Sequence, residues 1–256
     1  VKKSNEKNNF NERQVNYRLI TSESELVEII EICNEKIVIA FDCETNSLNS
    51  KSTDLVGLSI AYDIGQAVYI PLRHIKDDSD LFENKKTQDF TNQIEFRKAI
   101  NLIKPILEDP SILKVGHNIK FDMNVLRQYH NGNVHIYPVD DTMCMSYALN
   151  LGKVQNHKLD TLALVELNHS TIKYEDICGK GVNQKTFDLI NPLEALEYAA
   201  EDSDVVLALY EVYKERLFFE KKSFVYQKLE RELIPVLSDI ENEGIIVNQQ
   251  TLNSLS

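Results

Sequence analysis

The sequence predicts an α/β protein in which a mixed β-sheet is flanked by helices. Residues 36–42 (KIVIAFD) are a continuous β-branched and apolar run, which is typical of a buried strand. Two more strands are predicted over residues 55–62 and 67–72, joined by a turn at residues 63–65. Helical patterns and one further strand follow, and this order of elements favours a sheet with helices packed on it.

The segment before the first of these strands contains a polar lead-in and one helix. Residues 1–16 are rich in Asn and Lys and lack hydrophobic periodicity, so we expect a flexible lead-in. Ser22 followed by Glu25 is a capping-box pattern, which predicts a helix that runs to about Cys33.

The middle of the chain alternates between helix and strand. Residues 76–92 are charged, and we expect them to form a loop. A helix is predicted over residues 93–107 and ends before Pro110, since the residue preceding a proline disfavours helical geometry. A short strand over residues 112–115 then leads into a helix over residues 118–129.

Helices dominate the second half of the chain. They are predicted over residues 141–149 and 159–167, with residues 168–191 mostly in a loop. A long helix then begins at Pro192, a residue favoured in the first turn, and runs to about Leu217.

The last part of the sequence changes character at about residue 224. Residues 225–243 have the pattern of an amphipathic helix, and residues 244–248 (GIIVN) begin another unit. We expect this unit to continue in a longer natural chain.

Composition is that of a globular protein of a reducing compartment. Hydrophobic residues make up 43% of the chain, which is enough for a core without disulfides. Its four cysteines, Cys33, Cys43, Cys144 and Cys178, include no CxxC pair, so we expect free thiols. Neither a membrane span nor a signal peptide is predicted, and the cytoplasm is the expected location.

The net charge of −12 argues against a protein that grips nucleic acid through a basic surface. It does not argue against a metal-dependent nuclease, because bound cations reverse the local field where a phosphate would lie. We therefore expect weak, metal-dependent binding of an anionic substrate.

Two carboxylates lie at the end of the first of these strands. Asp42 and Glu44 are two residues apart, so both side chains point to the same face. They lie where the strand leaves the sheet, the region in which α/β proteins place their sites. The alternative is a pair of solvated carboxylates in a loop.

A third carboxylate lies on a predicted helix. Asn118 and Asp122 are four residues apart and share a helix face, next to His117 at the start of the helix. An anion or a capping side chain is favoured at such a start. The alternative is that Asn118 is the N-cap and Asp122 an ordinary first-turn acid.

The fourth carboxylate of interest is Asp202, which shares a helix face with Tyr198 four residues earlier. The alternatives are a tyrosine in the core and a solvated acidic face that includes Glu201 and Asp204. Four carboxylates of this kind suit a pair of hard divalent cations, Mg²⁺ or Mn²⁺, which hydrolyse phosphodiesters.

Six segments occur in an order and spacing that resemble one known family: FDCETNSL, GHNIKFD, DDTMCMSYALN, HKLDTLA, YEDICGKGVNQKTF and YAAEDSDVVLALY. They resemble the proofreading 3′–5′ exonuclease domain of bacterial DNA polymerase I, a family A polymerase, in the tyrosine subclass of the DnaQ-like DEDD superfamily. The resemblance covers residues 17–222 and implies an RNase H-like fold. Residues 223–256 resemble the start of the adjoining polymerase domain.

The resemblance implies a role for each of the residues above. Asp42 and Glu44 fill the first exonuclease motif, Asp122 the second and Asp202 the third, and all four are implied ligands of two divalent metal ions. Tyr198 is implied to orient the attacking water.

Six further residues are implied to contact the substrate. They are Thr45 and Leu48 beside the 3′ nucleotide, His117 and Asn118 near the backbone, Phe121, and Tyr174 stacked on a base. Phe121 stands where Tyr is common in the family, and Asn156 stands where a basic residue is common. We expect both departures to weaken DNA binding without touching the metal ligands.

The implied reaction is hydrolysis of the terminal phosphodiester at a DNA 3′ end, which releases nucleoside 5′-monophosphates. The implied substrate is a single-stranded or frayed 3′ end, with a polymerase domain in the same chain, and we expect residues 1–256 to be monomeric. Three alternatives stay open: an RNA 3′ exonuclease of the RNase D type, a catalytically silent module that binds DNA ends, and an acidic interaction domain without a site.

Overall fold

A computed structural model of the chain describes residues 10–76, 92–129, 134–150, 152–248, 250 and 254. Six strands form one sheet. They are β1 (Asn16–Leu19), β2 (Val38–Thr45), β3 (Leu55–Asp63), β4 (Gln66–Pro71), β5 (Leu113–Gly116) and β6 (Val139–Asp141).

The sheet is mixed, with the strand order β1-β4-β3-β2-β5-β6. Strand β3 pairs antiparallel with both β2 and β4, whereas β1 pairs parallel with β4, and β5 pairs parallel with both β2 and β6. The predicted turn between β3 and β4 is confirmed, and it contains Gly65 with a φ of 80°.

Nine α-helical segments occur among the described residues. They are α1 (Glu23–Asn34), α2 (Phe96–Glu108), α3 (Ile119–Arg127), α4 (Thr142–Asn150), α5 (Leu159–Leu162), α6 (Tyr174–Cys178), α7 (Pro192–Phe219), α8 (Ser223–Val225) and α9 (Arg231–Glu243). A π turn over Ala163–Leu167 extends α5, and a second one over Tyr226–Glu230 joins α8 to α9.

Helices cover both faces of the sheet, as the sequence predicts. On one face, α1 and α2 pack their apolar sides against alternate residues of β2, including Ile39 and Phe41. On the other face, the long helix α7 crosses β1 to β5 and packs against small side chains such as Ala40 and Ala61. The alternation of side chains along β2 therefore places Ala40, Asp42 and Glu44 on the side of α7.

Local sequence signals account for the ends of several helices. Ser22 and Glu25 form the predicted capping box at the start of α1. Pro192 occupies the first turn of α7, and the Asn191 side chain caps that helix by accepting a hydrogen bond from Leu193 N at 2.9 Å. Helix α2 begins at Phe96, three residues later than predicted, because the carboxylate of Glu95 provides its N-cap.

The structure differs from the expected flexible lead-in over residues 1–16. Residues 1–9 lie outside the described part of the chain, but Phe10 is buried, and β1 begins at Asn16. Arg13 forms an ion pair with the fully buried Asp204 on α7, with 2.8 Å between Arg13 Nε and Asp204 Oδ2. Residues 10–16 are therefore held on the domain, because the buried carboxylate of Asp204 on α7 requires the positive charge of Arg13.

The segment 168–191 is mostly loop, as expected, and within it lie α6 and two short 3₁₀ turns over Gly181–Asn183 and Phe187–Leu189. The expected loop over residues 76–92 lies almost wholly outside the described residues, since only residues 76 and 92 are described. Within the described ranges, no helix combines the length and the apolar composition needed to cross a bilayer.

Candidate active site

Asp42 and Glu44 project from β2 toward α7. They pair across the sheet with Ser59 and Gly57 of β3, and a β-bulge follows Glu44, where the strand leaves the sheet. Glu44 is 7% exposed and Asp42 is partly buried. The alternative of two solvated carboxylates in a loop is therefore wrong, because both residues belong to a regular strand.

Helix α7 supplies the third carboxylate of the site. Oxygen atoms of Asp42, Glu44 and Asp202 all lie within 4.8 Å of one another. Small residues on α7, among them Ala199 and Ala200, are fully buried and allow the helix to approach the sheet closely. The three carboxylates therefore converge from two elements that pack directly against each other.

Glu201 and Asp204, the acidic neighbours of Asp202 on α7, bind other partners and do not belong to the carboxylate group. Glu201 accepts hydrogen bonds from Ile172 N at 2.7 Å and pairs with His169 Nε2 at 2.8 Å. Asp204 pairs with Arg13 and accepts hydrogen bonds from Tyr17 and Gly65 N. The alternative of a single solvated acidic face is wrong, since Glu201 and Asp204 are both buried.

Asp122, on α3, approaches the same region along the edge of β2 that faces β5. Pairing between β2 and β5 stops at Ala40 and Val115, so the N–H of Cys43 has no strand partner on that side. Asp122 Oδ1 accepts a hydrogen bond from this N–H at 2.9 Å. Asp122 is 2% exposed and lies near Asp42, outside the tight group of three.

Burial of four carboxylates in one place shifts their titration. Burial raises the pKa of Asp42 to about 6. Burial, and then repulsion from Asp42, raise the pKa values of Glu44, Asp122 and Asp202 well above their ordinary range. The cluster therefore holds an excess of negative charge that favours either protons or a cation.

The residues present fit a divalent metal ion. Glu44 Oε1 is buried and has no hydrogen-bond partner among the described residues, so a ligand oxygen points into the cluster unsatisfied. The donors are all carboxylate oxygens, which hard cations prefer over the nitrogen and sulfur ligands typical of zinc sites. A divalent cation would neutralise the repulsion that raises these pKa values.

Tyr198 lies beside Asp202 within a group of aromatic rings. Its ring contacts Phe187 and Tyr174, with centroids 5.9 Å and 6.4 Å away. Burial, followed by the charge of Asp202, raises its pKa far above that of a free phenol. Tyr198 therefore keeps its proton, and its hydroxyl donates a hydrogen bond to Asp202.

Tyr174 and Leu48 are exposed side chains on α6 and in the loop after β2, respectively. Tyr174 begins α6, is 37% exposed and stacks on Phe187 at 6.4 Å between ring centroids. Leu48 is 94% exposed in the loop after β2, and Thr45 donates a hydrogen bond from Oγ1 to Ser47 O at 2.9 Å within that loop. Tyr174 and Leu48 are thus available to a molecule that enters the site.

His117 and Asn118 lie between β5 and α3. His117 Nδ1 is 2.9 Å from Thr142 Oγ1, and burial lowers the pKa of the imidazole to about 4, so it is neutral. Asn118 has left-handed geometry with a φ of 62°, and its exposed side chain makes no capping hydrogen bond. Asn118 therefore occupies the N-cap position of α3, as the alternative expects, but its side chain does not cap the helix. Phe121 is partly buried and packs against the core.

Two residues that sequence reasoning missed hold these elements in place. Asp141 accepts hydrogen bonds from four backbone N–H groups, those of Asn118, Ile119, Met143 and Cys144, and so caps both α3 and α4. The Asp-Thr pair at the start of a predicted helix was a signal for such a cap. Cys43, which binds Asp122 through its backbone, left no sequence signal.

The geometry agrees with the comparisons to known proteins. The family described as 3′-5′ exonuclease matches residues 17–217. The chain belongs to this family. The exonuclease is 40% identical to DNA polymerase I of Rhizobium leguminosarum and 35% identical to that of Pseudomonas aeruginosa, over 86% and 93% of this chain. These matches cover 22% and 25% of the relatives, so the chain spans about a quarter of their length.

Solved structures show the same RNase H-like fold. Brucella melitensis NrnC has a TM-score of 0.62 at 20% identity, with 90% of this exonuclease and 94% of that chain covered. Escherichia coli RNase D, an exoribonuclease, has a TM-score of 0.62 at 18% identity, with coverages of 91% and 52%. A Pol1 structure from M. smegmatis in complex with DNA has a TM-score of 0.66 at 16% identity, with coverages of 94% and 34%.

Proposed function

We propose that this exonuclease removes nucleotides from DNA 3′ ends by hydrolysing the terminal phosphodiester, with release of nucleoside 5′-monophosphates. The observation that carries the proposal is the convergence of Asp42, Glu44 and Asp202 within 4.8 Å, with Asp122 beside them. In the proposed natural context, the domain proofreads for a DNA polymerase I. A cytoplasmic location and a monomeric state for residues 1–256 belong to the same proposal.

Two divalent cations, Mg²⁺ or Mn²⁺, are the proposed cofactors. Asp42, Glu44 and Asp202 would hold one of them, and Asp42 with Asp122 would hold the second. Such cations supply Lewis acidity, which favours the hydroxide form of water at neutral pH and offsets the charge that develops on the phosphate.

The side chains around the cluster would bind and orient the substrate. Tyr198 keeps its proton, so it would orient the attacking water by donating a hydrogen bond while Glu44 accepts one. Tyr174 offers an exposed ring to an unpaired base, and stacking of this kind contributes roughly 1–3 kcal/mol per base with little sequence preference. We propose that Leu48 and Thr45 contact the terminal nucleotide.

The remaining proposed contacts follow the backbone of the strand. Asn118 has a free amide at the start of α3, and neutral His117 lies next to it, so both would contact phosphate or sugar oxygens. Phe121 would contribute an apolar surface. Because the last nucleotides must reach the carboxylates unpaired, a single-stranded or frayed end is the proposed substrate.

A polymerase domain in the same chain is the proposed partner. Four apolar side chains of α9 lie on one side of the helix and are 42% to 58% exposed, namely Leu233, Val236, Leu237 and Ile240. A soluble monomer rarely leaves such a stripe uncovered. With the identity to DNA polymerase I over a quarter of that protein, this supports residues 223–256 as the start of a polymerase domain, after an exonuclease domain over residues 17–222.

The competing function is an RNA 3′ exonuclease, which the likeness to RNase D favours. The higher sequence identity to DNA polymerase I supports DNA instead. The ribose 2′-hydroxyl is what allows a protein to distinguish the two substrates. The intact set of four carboxylates argues against a silent module that only binds DNA ends.

A primer-shortening assay tests the proposal. The chain and its Asp42→Ala variant are incubated with a 5′-labelled, 3′-mismatched DNA primer and with the matched RNA, in Mg²⁺, Mn²⁺ or EDTA. We expect metal-dependent shortening of the DNA from its 3′ end, which the variant lacks. Faster shortening of the RNA would replace the DNA proposal with the RNase D-type function. A folded chain that shortens neither would support the silent module.

A further inference from the structure

Helix α3 presents two different faces to the molecule. Asp122 points toward β2, where it accepts the hydrogen bond of Cys43. Lys120, Asn124 and Arg127 are spaced four and three residues apart, so they share another face of the same nine-residue helix. That face lies against α9. Contacts made with α9 therefore act on the helix that carries Asp122.

Asn124 makes the buried contact between these helices. It is 2% exposed, and its Oδ1 accepts hydrogen bonds from Ser238 Oγ at 2.6 Å and from Asn242 Nδ2 at 2.7 Å. Its Nδ2 donates to Glu241 Oε2 at 3.0 Å. All three partners of Asn124 belong to α9. A buried amide with this many partners fixes the rotation of one helix against the other.

Two ion pairs flank Asn124 along the same face. Lys120 pairs with Glu241, and Arg127 Nη1 lies 2.6 Å from Asp239 Oδ1. Their side chains are 26% to 65% exposed, and exposed pairs of this kind contribute little to stability. The buried bonds of Asn124 therefore dominate the polar contact between α3 and α9.

The end of α9 also contacts the loop that follows β2. Lys51 Nζ donates a hydrogen bond to Asn242 O at 3.2 Å. Leu48 lies in this loop three residues before Lys51, and Gln128, just after α3, donates to Ser50 O. Helix α9 thus contacts both α3, which carries Asp122, and the loop that follows β2.

We propose that Asn124 is a positioning residue through which α9 holds α3, and with it Asp122, in register with the acidic cluster. This role rests on the proposed function, in which Asp122 supports a divalent cation. Since α9 belongs to the segment proposed to begin the polymerase domain, the exonuclease site is then completed by a helix outside the domain that carries its ligands.

The short length of α3 makes the position of Asp122 sensitive to this contact. Asn124 and Asp122 are two residues apart, so a rotation of the helix about its axis moves both side chains. A displacement of about 1 Å at a catalytic site can lower the rate about 10²-fold. The Cys43 N–H gives Asp122 one fixed bond, and the orientation of the helix depends further on its buried apolar side, on its cap by Asp141 and on its contacts with α9.

The test changes the α9 side of the contact and leaves every carboxylate in place. The double variant Ser238→Ala/Asn242→Ala removes both donors to Asn124 Oδ1. The matched control is Ile29→Val, which destabilises the buried side of α1, a helix that packs chiefly against α2. Both are compared with the wild type by amide hydrogen exchange, by calorimetric titration with Mn²⁺, and by kcat and KM on a DNA primer.

In the double variant we expect faster exchange of residues 119–127, weaker Mn²⁺ binding, and a kcat that falls while KM stays near the wild-type value. Loss of a partner that orients a metal ligand directly costs about 10- to 100-fold in metal affinity or activity. Because Asn124 acts on Asp122 through a helix, we expect a smaller loss of Mn²⁺ affinity and kcat, about three- to tenfold. Ile29→Val should lower Tm without changing Mn²⁺ affinity or kcat.

Two results would overturn the proposal in distinguishable ways. A wild type that binds Mn²⁺ and cleaves DNA, together with a double variant that does both equally well, contradicts the positioning role alone. A wild type that neither binds Mn²⁺ nor cleaves contradicts the proposed function and the positioning role with it. If the double variant does not fold, Ser238→Ala alone removes one of the three bonds and should change all readouts in the same direction.

Discussion

The carboxylate of Asp122 and the backbone N–H of Cys43 are joined by a 2.9 Å hydrogen bond. The bond exists because β5 stops pairing with β2 after Ala40, which leaves the next N–H on that edge to a side chain. A carboxylate from a helix is thereby fixed to the strand that carries two others. The geometry of the site thus depends on where β5 stops pairing with β2 as much as on which residues the site contains.

Replacement of Asp122 by Asn is expected to stabilise the metal-free protein. The amide oxygen of Asn still accepts the Cys43 N–H, and the like charge beside Asp42 is removed. Each 1 kcal/mol gained would raise Tm by roughly 2–4 °C in a domain of this size. Thermal unfolding in EDTA measures this, and Asp204→Asn is the control, because weakening its buried pair with Arg13 should lower Tm. A lower Tm for Asp122→Asn would contradict the repulsion described here.

Tyr198→Phe is expected to lower kcat and to leave metal affinity unchanged. Phe retains the ring that packs on Phe187 and Tyr174, and only the hydroxyl bonded to Asp202 is lost. We expect a loss of roughly tenfold, below the 10²–10⁴-fold typical of a missing general acid or base.

The pH–rate profile separates the two possible roles of this tyrosine. Because burial and Asp202 raise the pKa of Tyr198, it does not ionise in the working range, and the profile of Tyr198→Phe should keep the wild-type shape. Disappearance of a titrating step in the variant would instead identify the phenol as a base.

Stability of the metal-free protein is expected to fall as pH rises. The pKa of Asp42 is raised from 3.8 to about 6, so the folded state binds protons more tightly than the unfolded state between these values. A group of this kind stabilises the fold at low pH and loses that contribution as pH rises from about 4 through 6. Glu44, Asp122 and Asp202, whose pKa values are also raised, extend the decline to higher pH.

Denaturant unfolding in EDTA from pH 4.5 to 8 measures this decline, and the same series in Mg²⁺ is the control. Since a cation competes with protons for the same oxygens, Mg²⁺ should stabilise the protein more at pH 8 than at pH 5. A stability that rises with pH in EDTA would mean that the carboxylates have cationic partners in the folded chain.

Asp141→Ala is expected to destabilise the protein and to lower activity, although Asp141 is not a metal ligand. Its carboxylate caps both α3 and α4, and one lost N-cap costs about 1 kcal/mol, so we expect a loss of about 2 kcal/mol or more. Chemical denaturation measures it. Asp141→Asn keeps one acceptor oxygen, so its free energy of unfolding should lie between those of the wild type and Asp141→Ala.

Much of the fold follows from local sequence patterns. The β-branched run of β2 and the capping box at Ser22 predict their elements because each depends on contacts within a few residues. Strands β1 and β6 were not predicted, since four and three residues are too few for a period to emerge. Their place depends on pairing with β4 and β5, which are distant in sequence.

The site was predictable to a similar extent. Two residues of separation on a strand place Asp42 and Glu44 on one face, and a family resemblance selects Asp202 from its acidic neighbours. The cap that Asp141 provides for α3 and the contact of Asn124 with α9 involve residues more than 20 and 110 positions apart, respectively. No local pattern contains such information.

The ion pair between Arg13 and Asp204 bears on where a minimal exonuclease can begin. The match to the exonuclease family starts at residue 17, so a shortened protein designed from it would omit Arg13 and the buried Phe10. The carboxylate of Asp204 would keep its bonds from Tyr17 and Gly65 N but lose its only charged partner among the described residues. A shortened protein that keeps residues 10–16 would therefore retain the charge balance of α7, which one cut at the boundary of the family match would lose.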